Sequence, residues 1–329
     1  MMNTSTFVFG SEIQGSGRIT AFDVLISFFA LVGVILDVAN LIFIKRLKIF
    51  HNAFGWFWSS RVISDGIIAL VNTVYIAPVI LLQPSNIPVS VSVIPFALFF
   101  VCAIHGCLMH AAIAANRSVA VYRPLDYIHV FRNKTSFVII AFAWLSCLLC
   151  APIFIAVPCN LVGFSPRLYE YVFISCAPEV DRDYSIVITV ANHFCCVLCL
   201  TTVIVDCGTL GRIIYIRRVM KIGAETKNFK RDVRFFKQSA FQNITMILGV
   251  VMIIQSNNRN DPERATTNIL TMTAVMLTHV TNPLSLLIFN PEVRRRLHRT
   301  TSVWATESHP PKPGVDHLLF KTKRIVYSK

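Results

Sequence analysis

Seven long apolar runs divide this chain, at residues 21–44, 53–82, 91–122, 136–157, 185–216, 235–255 and 266–289. A helix needs about 20 predominantly apolar residues to cross about 30 Å of hydrocarbon, so each run is long enough to span a bilayer. The connections between them are too short to build a separate soluble core. The expected fold is therefore an all-α seven-transmembrane helix bundle. Turn chemistry separates the runs: Gln83-Pro84-Ser85-Asn86, Val157-Pro158 and the segment from Asn257 to Pro262. The sixth run is the most diluted, because Gln238, Gln242 and Asn243 interrupt it. Residues 1–20 show no apolar core before a cleavage site, so the first run is expected to act as an uncleaved anchor.

Charge orients the bundle. The net charge of +14 would suit a nucleic-acid partner, but only 15% of residues are charged and the basic ones are clustered between apolar runs. Most of the 31 lysines and arginines fall in the odd-numbered connections and the tail: Lys45, Arg46 and Lys48; Arg117, Arg123, Arg132 and Lys134; the run from Arg212 to Lys237; and the stretch from Arg294 to Lys329. The other side holds Arg18, Arg167, Arg182, Arg259 and Arg264. This asymmetry predicts the N-terminus outside and the tail in the cytoplasm. It favours an anionic membrane surface over nucleic acid as the partner of the basic loops. Three regions follow: an extracellular N-terminus over 1–20, the helix domain over 21–299 and a cytoplasmic tail over 300–329. Pro291-Glu292-Val293-Arg294-Arg295-Arg296-Leu297 reads as a short amphipathic helix after the seventh span. Asn3-Thr4-Ser5 is a glycosylation acceptor if that end is outside.

Two motifs bear on function. The third span ends in Asn116-Arg117-Ser118, followed by Pro124-Leu125-Asp126-Tyr127. Arg117 lies about 26 residues into the helix, roughly 39 Å along it, at the membrane edge. This resembles the acidic-Arg-aromatic triplet and downstream Pro-Leu-x-Tyr of rhodopsin-like G-protein-coupled receptors. The resemblance implies that Arg117, Pro124 and Tyr127 serve G-protein coupling. Asn116 stands at the acidic position, so no neighbouring carboxylate is expected to restrain Arg117. The seventh span ends in Asn282-Pro283-Leu284-Ser285-Leu286. It resembles the Asn-Pro-x-x-Tyr switch with Leu286 in the tyrosine position, and Pro283 loosens the helix turn.

Polar residues inside the bilayer are costly and read as functional by default. Asp37, Arg61, Asp65 and Asp206 form this set. Arg61 and Asp65 are four apart on one helix face and suit an ion pair. Asp37 is an alternative partner for Arg61 across helices, and Asp65 is also a candidate ion or proton site. Asp206 has no evident partner. His105, His110, His193 and His279 make no chelating pair on one helix, and no metal or cofactor is expected. No phosphate loop, His-Glu-x-x-His or activated nucleophile is visible, so no enzyme is expected.

The ordered set of features is similar to the Srx class of nematode serpentine chemoreceptors, from about Ile26 to Leu297. It comprises Gly33-Val34-Ile35-Leu36-Asp37, Asn52-Ala53-Phe54-Gly55, Ala77-Pro78, Asn116-Arg117 with Pro124 and Tyr127, and two loop cysteines. Phe235-Phe236-Lys237-Gln238-Ser239 with Gln242, and Phe289-Asn290 leading to Arg294, complete it. The resemblance implies a plasma-membrane receptor of sensory neurons. Such a receptor detects an unknown small molecule and activates a heterotrimeric G protein. A seven-helix transporter or receptor-channel is the competing class.

The loop cysteines are Cys159 and Cys176, both expected in the second outer connection. Many rhodopsin-like receptors bond this loop to a cysteine at the outer end of the third helix. Here that position is Ser92, and the expectation is a Cys159–Cys176 bond within the loop. Phe99 stands where amine receptors carry an anchoring Asp, and Met276 where opsins carry the retinal Lys. Both are candidate pocket residues, and neither suits an amine or retinal.

Overall fold

The structure, a computed structural model, describes residues 6–8, 20–84, 86–156, 162–166, 169–173, 186–220, 227–257 and 264–297. The elements run β1 (Thr6–Val8), α1 (Ala21–Arg46), α2 (Ala53–Leu82), β2 (Asn86–Pro88), α3 (Val89–Tyr122), α4 (Asn133–Ala156), β3 (Val162–Ser165), β4 (Glu170–Phe173), α5 (Ile186–Met220), α6 (Lys227–Asn257) and α7 (Arg264–Phe289). Among the described residues seven helices are long and apolar enough to cross a membrane. Asn3, Cys159 and Cys176 lie outside the described residues.

The faces of α1 show the packing rule. Ile26, Ala30, Gly33, Asp37, Asn40 and Ile44 are buried at helical spacing, while Phe28, Ile35, Val38 and Ile42 are exposed. A water-soluble helix would turn its polar side outward. In lipid the apolar side faces out and the polar groups turn in, where they find partners. The same rule explains α6: Gln238, Gln242 and Asn243, which dilute its hydropathy, are all buried in the bundle.

Helix packing closes a ring. α1 packs on α2 and α7, α6 joins α7 to α5, and α3 packs between α2 and α5. α4 sits outside that ring against α2 and α3. Local chemistry sets the helix ends. Thr20 and Asp23 form a reciprocal capping box at the start of α1, and the Asn52 side chain accepts from Gly55 N at 3.1 Å to start α2. Within α2, residues Asn72–Ile76 form a π-helical turn ahead of Pro78. Pro78 has no N–H to give the preceding turn, and the wider turn accommodates that loss.

Among the described residues two short antiparallel strand pairs lie outside the helices. β1 pairs antiparallel with β2, and β3 with β4. No alternation in so few residues foretells them. Residues 290–297 form a separate unit. There the Asn290 side chain accepts from Glu292 N at 3.0 Å and Val293 N at 3.3 Å, capping a helical turn over 291–297. Arg295 meets Glu292 at 3.3 Å on its exposed face.

Candidate functional site

A cavity of about 230 Å³ opens in the half of the bundle that contains the first turns of α3 and the last turns of α6. Its walls are mostly apolar or aromatic, including Phe96, Phe99, Phe100, Ile104, Met246 and Met272. Tyr169 and Tyr171 of the β3–β4 segment also line it. Tyr171 packs on Phe96, Phe99 and Phe164, with ring centroids 4.8, 5.8 and 5.5 Å away. Burial pushes the Tyr171 hydroxyl up from its ordinary pKa. Phe99 thus lies where a pocket residue was expected. Met276 does not line the cavity. It packs in the core with Ile26, Ile76 and Ile80, one position from Val275, which does line it.

Tyr169 ties this segment to α1. Its hydroxyl donates to Asp23 Oδ1 at 2.6 Å, on the carboxylate that builds the α1 cap. Tyr169 adopts φ 54, a left-handed conformation that an L side chain enters at a cost of roughly 1–2 kcal/mol. The buried hydrogen bond offsets that cost. Burial, with the Asp23 hydrogen bond second, pushes the Tyr169 hydroxyl up to about 12. Ser92, standing in the usual cysteine position, is buried and accepts from the Tyr75 hydroxyl at 3.1 Å.

The cavity floor is charged. Arg61, Asp65, His279 and Asn282 all reach it. Asp65 takes His279 Nδ1 at 2.9 Å and Asn282 Nδ2 at 3.4 Å, and its Oδ2 lies 3.8 Å from Arg61 Nε. The expected Arg61–Asp65 pair is present, as an ionic contact longer than a hydrogen bond. Asp37 is buried, and neither of its oxygens has a hydrogen-bond partner among the described residues. Its Cβ packs near Gly66 instead.

From this floor a chain of polar contacts runs through the bundle. Arg61 Nη1 donates to His110 Nδ1, which leaves the His110 proton on Nε2 to donate to Asn243 Oδ1. Asn243 Nδ2 donates to Asp206 Oδ2 at 3.0 Å, and the Ser239 hydroxyl donates to the same carboxylate. Arg117 Nη2 closes the chain, 3.3 Å from Asp206 Oδ1 and 2.7 Å from Ser239 Oγ. One expectation is corrected here: Asp206 does have partners. Arg117 has no carboxylate beside it in sequence and is paired with one supplied by α5. Asn116 bonds instead with the Tyr127 hydroxyl at 3.3 Å, holding the helix end to the turn that follows Pro124. Pro124 lies in that connecting turn, and Leu125 beside it is exposed.

The α7 proline region is tied to three helices. Asn40 of α1 donates to the Pro283 carbonyl at 3.0 Å, and Gln242 of α6 donates to Ser285 Oγ at 2.8 Å and the Asn282 carbonyl at 3.3 Å. Asn282 itself reaches Asp65 of α2. Leu286 is fully buried. Among the histidines, His105 stacks on Trp144 with centroids 3.9 Å apart and bonds Ser60 and Ser64. His193 bonds the Thr189 carbonyl of its own helix, at 2.7 Å. Among the described residues no cluster of three His, Cys, Asp or Glu is placed to hold a metal ion.

Sequence reasoning missed His110, Ser239 and Asn243. A signal was available: His110 and Arg117 are seven apart on one face of α3, and Ser239 and Asn243 are four apart on α6. Their convergence depends on how α3, α5 and α6 are rotated, which spacing along one helix does not fix.

Among the described residues, seven helices long and apolar enough to span a membrane, around a lined cavity, define a multi-pass membrane protein. The description "Serpentine type 7TM GPCR chemoreceptor Srx" matches residues 27–290, and the chain belongs to that family. It is also 28% identical over 137 residues to Serpentine receptor class X 45 of Caenorhabditis elegans. That alignment covers 41% of this chain and 37% of the relative.

Proposed function

We propose that the protein is a chemosensory receptor of the sensory-neuron plasma membrane that couples small-molecule binding to a heterotrimeric G protein. The N-terminus and the β3–β4 segment face outside, and the basic connections face the cytoplasm and its anionic lipids. The ligand enters the cavity beneath Tyr169 and Tyr171. Arg117, Pro124 and Tyr127 form the G-protein side, and Asn282-Pro283 is the hinge between the two.

The observation that carries this reading is the polar chain from His279 and Asp65 through Arg61, His110 and Asn243 to Asp206 and Arg117. A ligand shifts an equilibrium only by its differential affinity for two states. A group bound at the Arg61–Asp65 floor touches one end of this chain, so moving that floor changes the partners left for Arg117. Coupling of about 1–3 kcal/mol is the usual scale for such linked sites.

The test is a screen of volatile and soluble odorants on cells expressing the receptor, with and without functional heterotrimeric G proteins. The reading predicts responses that vanish when G proteins are removed. Currents or uptake that persist without them would point to a channel or transporter instead.

A further inference from the structure

The cavity presents hydrogen-bond donors that its own walls leave without acceptors. Arg61 is about 1% exposed and lines the floor. Among the described residues its Nη2 meets only the Met246 thioether at 3.1 Å, a weak acceptor. Its Nε has no hydrogen-bond acceptor among the described residues, because Asp65 lies 3.8 Å away. On the α5 wall, Asn192 Nδ2 is buried with no acceptor among the described residues, and near the top the buried Tyr171 hydroxyl likewise has no partner among them. Buried donors without acceptors are uncommon, and each carries a desolvation cost that a complementary guest removes.

The charges on the floor select the guest. An amine would sit beside the Arg61 guanidinium, while the Asp65 carboxylate it needs is already shared by Arg61, His279 and Asn282. A carboxylate would enter beside Asp65, with Asp37 close behind Gly66. Either adds a like charge in a low-dielectric site. An uncharged oxygen acceptor meets the donors without that penalty, and an apolar body matches the aromatic and thioether walls.

Resting on the reading of this cavity as the ligand site, we infer that its ligands are uncharged small carbonyl compounds — ketones, esters or lactones — whose oxygen accepts from Arg61, Asn192 or Tyr171.

The experiment uses the full-length receptor in lipid nanodiscs and reads its melting temperature against a matched panel. The panel holds ketones, esters and lactones of about eight carbons, with amines, carboxylates and alkanes of the same skeletons, sized for a small enclosed pocket. The compounds that raise the melting temperature should be concentrated among the carbonyls. Tyr171→Phe or Asn192→Leu should weaken the best of them by about five-fold or more, the usual effect of one lost hydrogen bond. Stabilisation mainly by amines, carboxylates or alkanes would overturn the inference. So would a panel with no stabilising carbonyl, or affinity unchanged in Tyr171→Phe, Asn192→Leu and Arg61→Met alike. Because the readout is binding alone, a carbonyl that stabilises the receptor but fails to activate any G protein would support this inference and count against the coupling reading.

Discussion

Arg117 at the end of α3 is held by Asp206 of α5, with Nη2 and Oδ1 3.3 Å apart and Ser239 of α6 bridging the two. The restraint on this arginine has moved from the adjacent residue to a facing helix. That placement has a consequence for switching. A carboxylate next to the arginine turns with the same helix, whereas this contact spans α3, α5 and α6. Any rotation or separation of those helices breaks it.

His110 is the middle link between the cavity and that pair. Replacing it with Phe keeps a planar aromatic ring, slightly larger, and removes both hydrogen bonds, to Arg61 and to Asn243. Links of this kind modulate coupling by about 0.5–2 kcal/mol. We predict that His110→Phe reaches the membrane and binds ligand. Its half-maximal concentration for G-protein activation should shift about two- to thirty-fold relative to binding. Parallel binding and nucleotide-exchange curves measure this, and identical shifts in both would argue against a link.

Arg61 and Asp65 are both nearly inaccessible, so neither charge is well served by solvent. Removing one partner of a buried pair costs about 3–5 kcal/mol, because the other is left behind. Arg61→Met should therefore lower the melting temperature sharply. The double variant Arg61→Met/Asp65→Asn should recover part of that loss instead of adding to it. Strict additivity in the thermal melts would mean that the 3.8 Å contact contributes nothing.

Tyr169→Phe removes only the hydroxyl that reaches Asp23. The β3–β4 segment should loosen, with hydrogen exchange in β4 faster by roughly five-fold for about 1 kcal/mol lost. The wild-type contact also carries a pH dependence. Its raised folded value of about 12 means the neutral phenol's contribution is complete below the ordinary tyrosine value near 10 and is lost as pH rises toward 12. Exchange in β4 that stays constant in the wild type from pH 9 to pH 11, after correction for the intrinsic rate, would contradict this.

Gly55 sits where α2 begins, and a Cβ built there would lie 1.8 Å from the Phe50 carbonyl oxygen. Since that neighbour is backbone, Gly55→Ala should abolish surface expression. Gly211→Ala, whose Cβ meets nothing within 4 Å, should express normally. Equal expression of the two variants would show that the turn at Phe50 relaxes.

The seven spans were legible because a bilayer imposes length and hydropathy on each helix separately, and because caps such as Asn52 are local. The Arg61–Asp65 pair was legible for the same reason: four residues on one helix fix a shared face. The partner of Asp206 was not, since it is set by the rotation of three helices. The β1–β2 pairing was also hidden, because Thr6–Val8 has no alternation to reveal a strand. Met276 shows the limit of reading a pocket from position: one residue along α7 separates the cavity wall from the core.

In the proposed coupling, Arg117 is the G-protein contact and Asp206 restrains it. Ligand-free nucleotide exchange on heterotrimeric G protein, measured with receptor in nanodiscs, tests it without any known agonist. Asp206→Asn removes the ionic restraint, and about 1.4 kcal/mol of lost resting-state stability corresponds to a tenfold change in the active population. Asp206→Asn should raise basal exchange several-fold, and adding Arg117→Ala should bring it below the wild-type level. Basal exchange unchanged by Asp206→Asn, or raised exchange that survives Arg117→Ala in folded protein, would contradict this coupling.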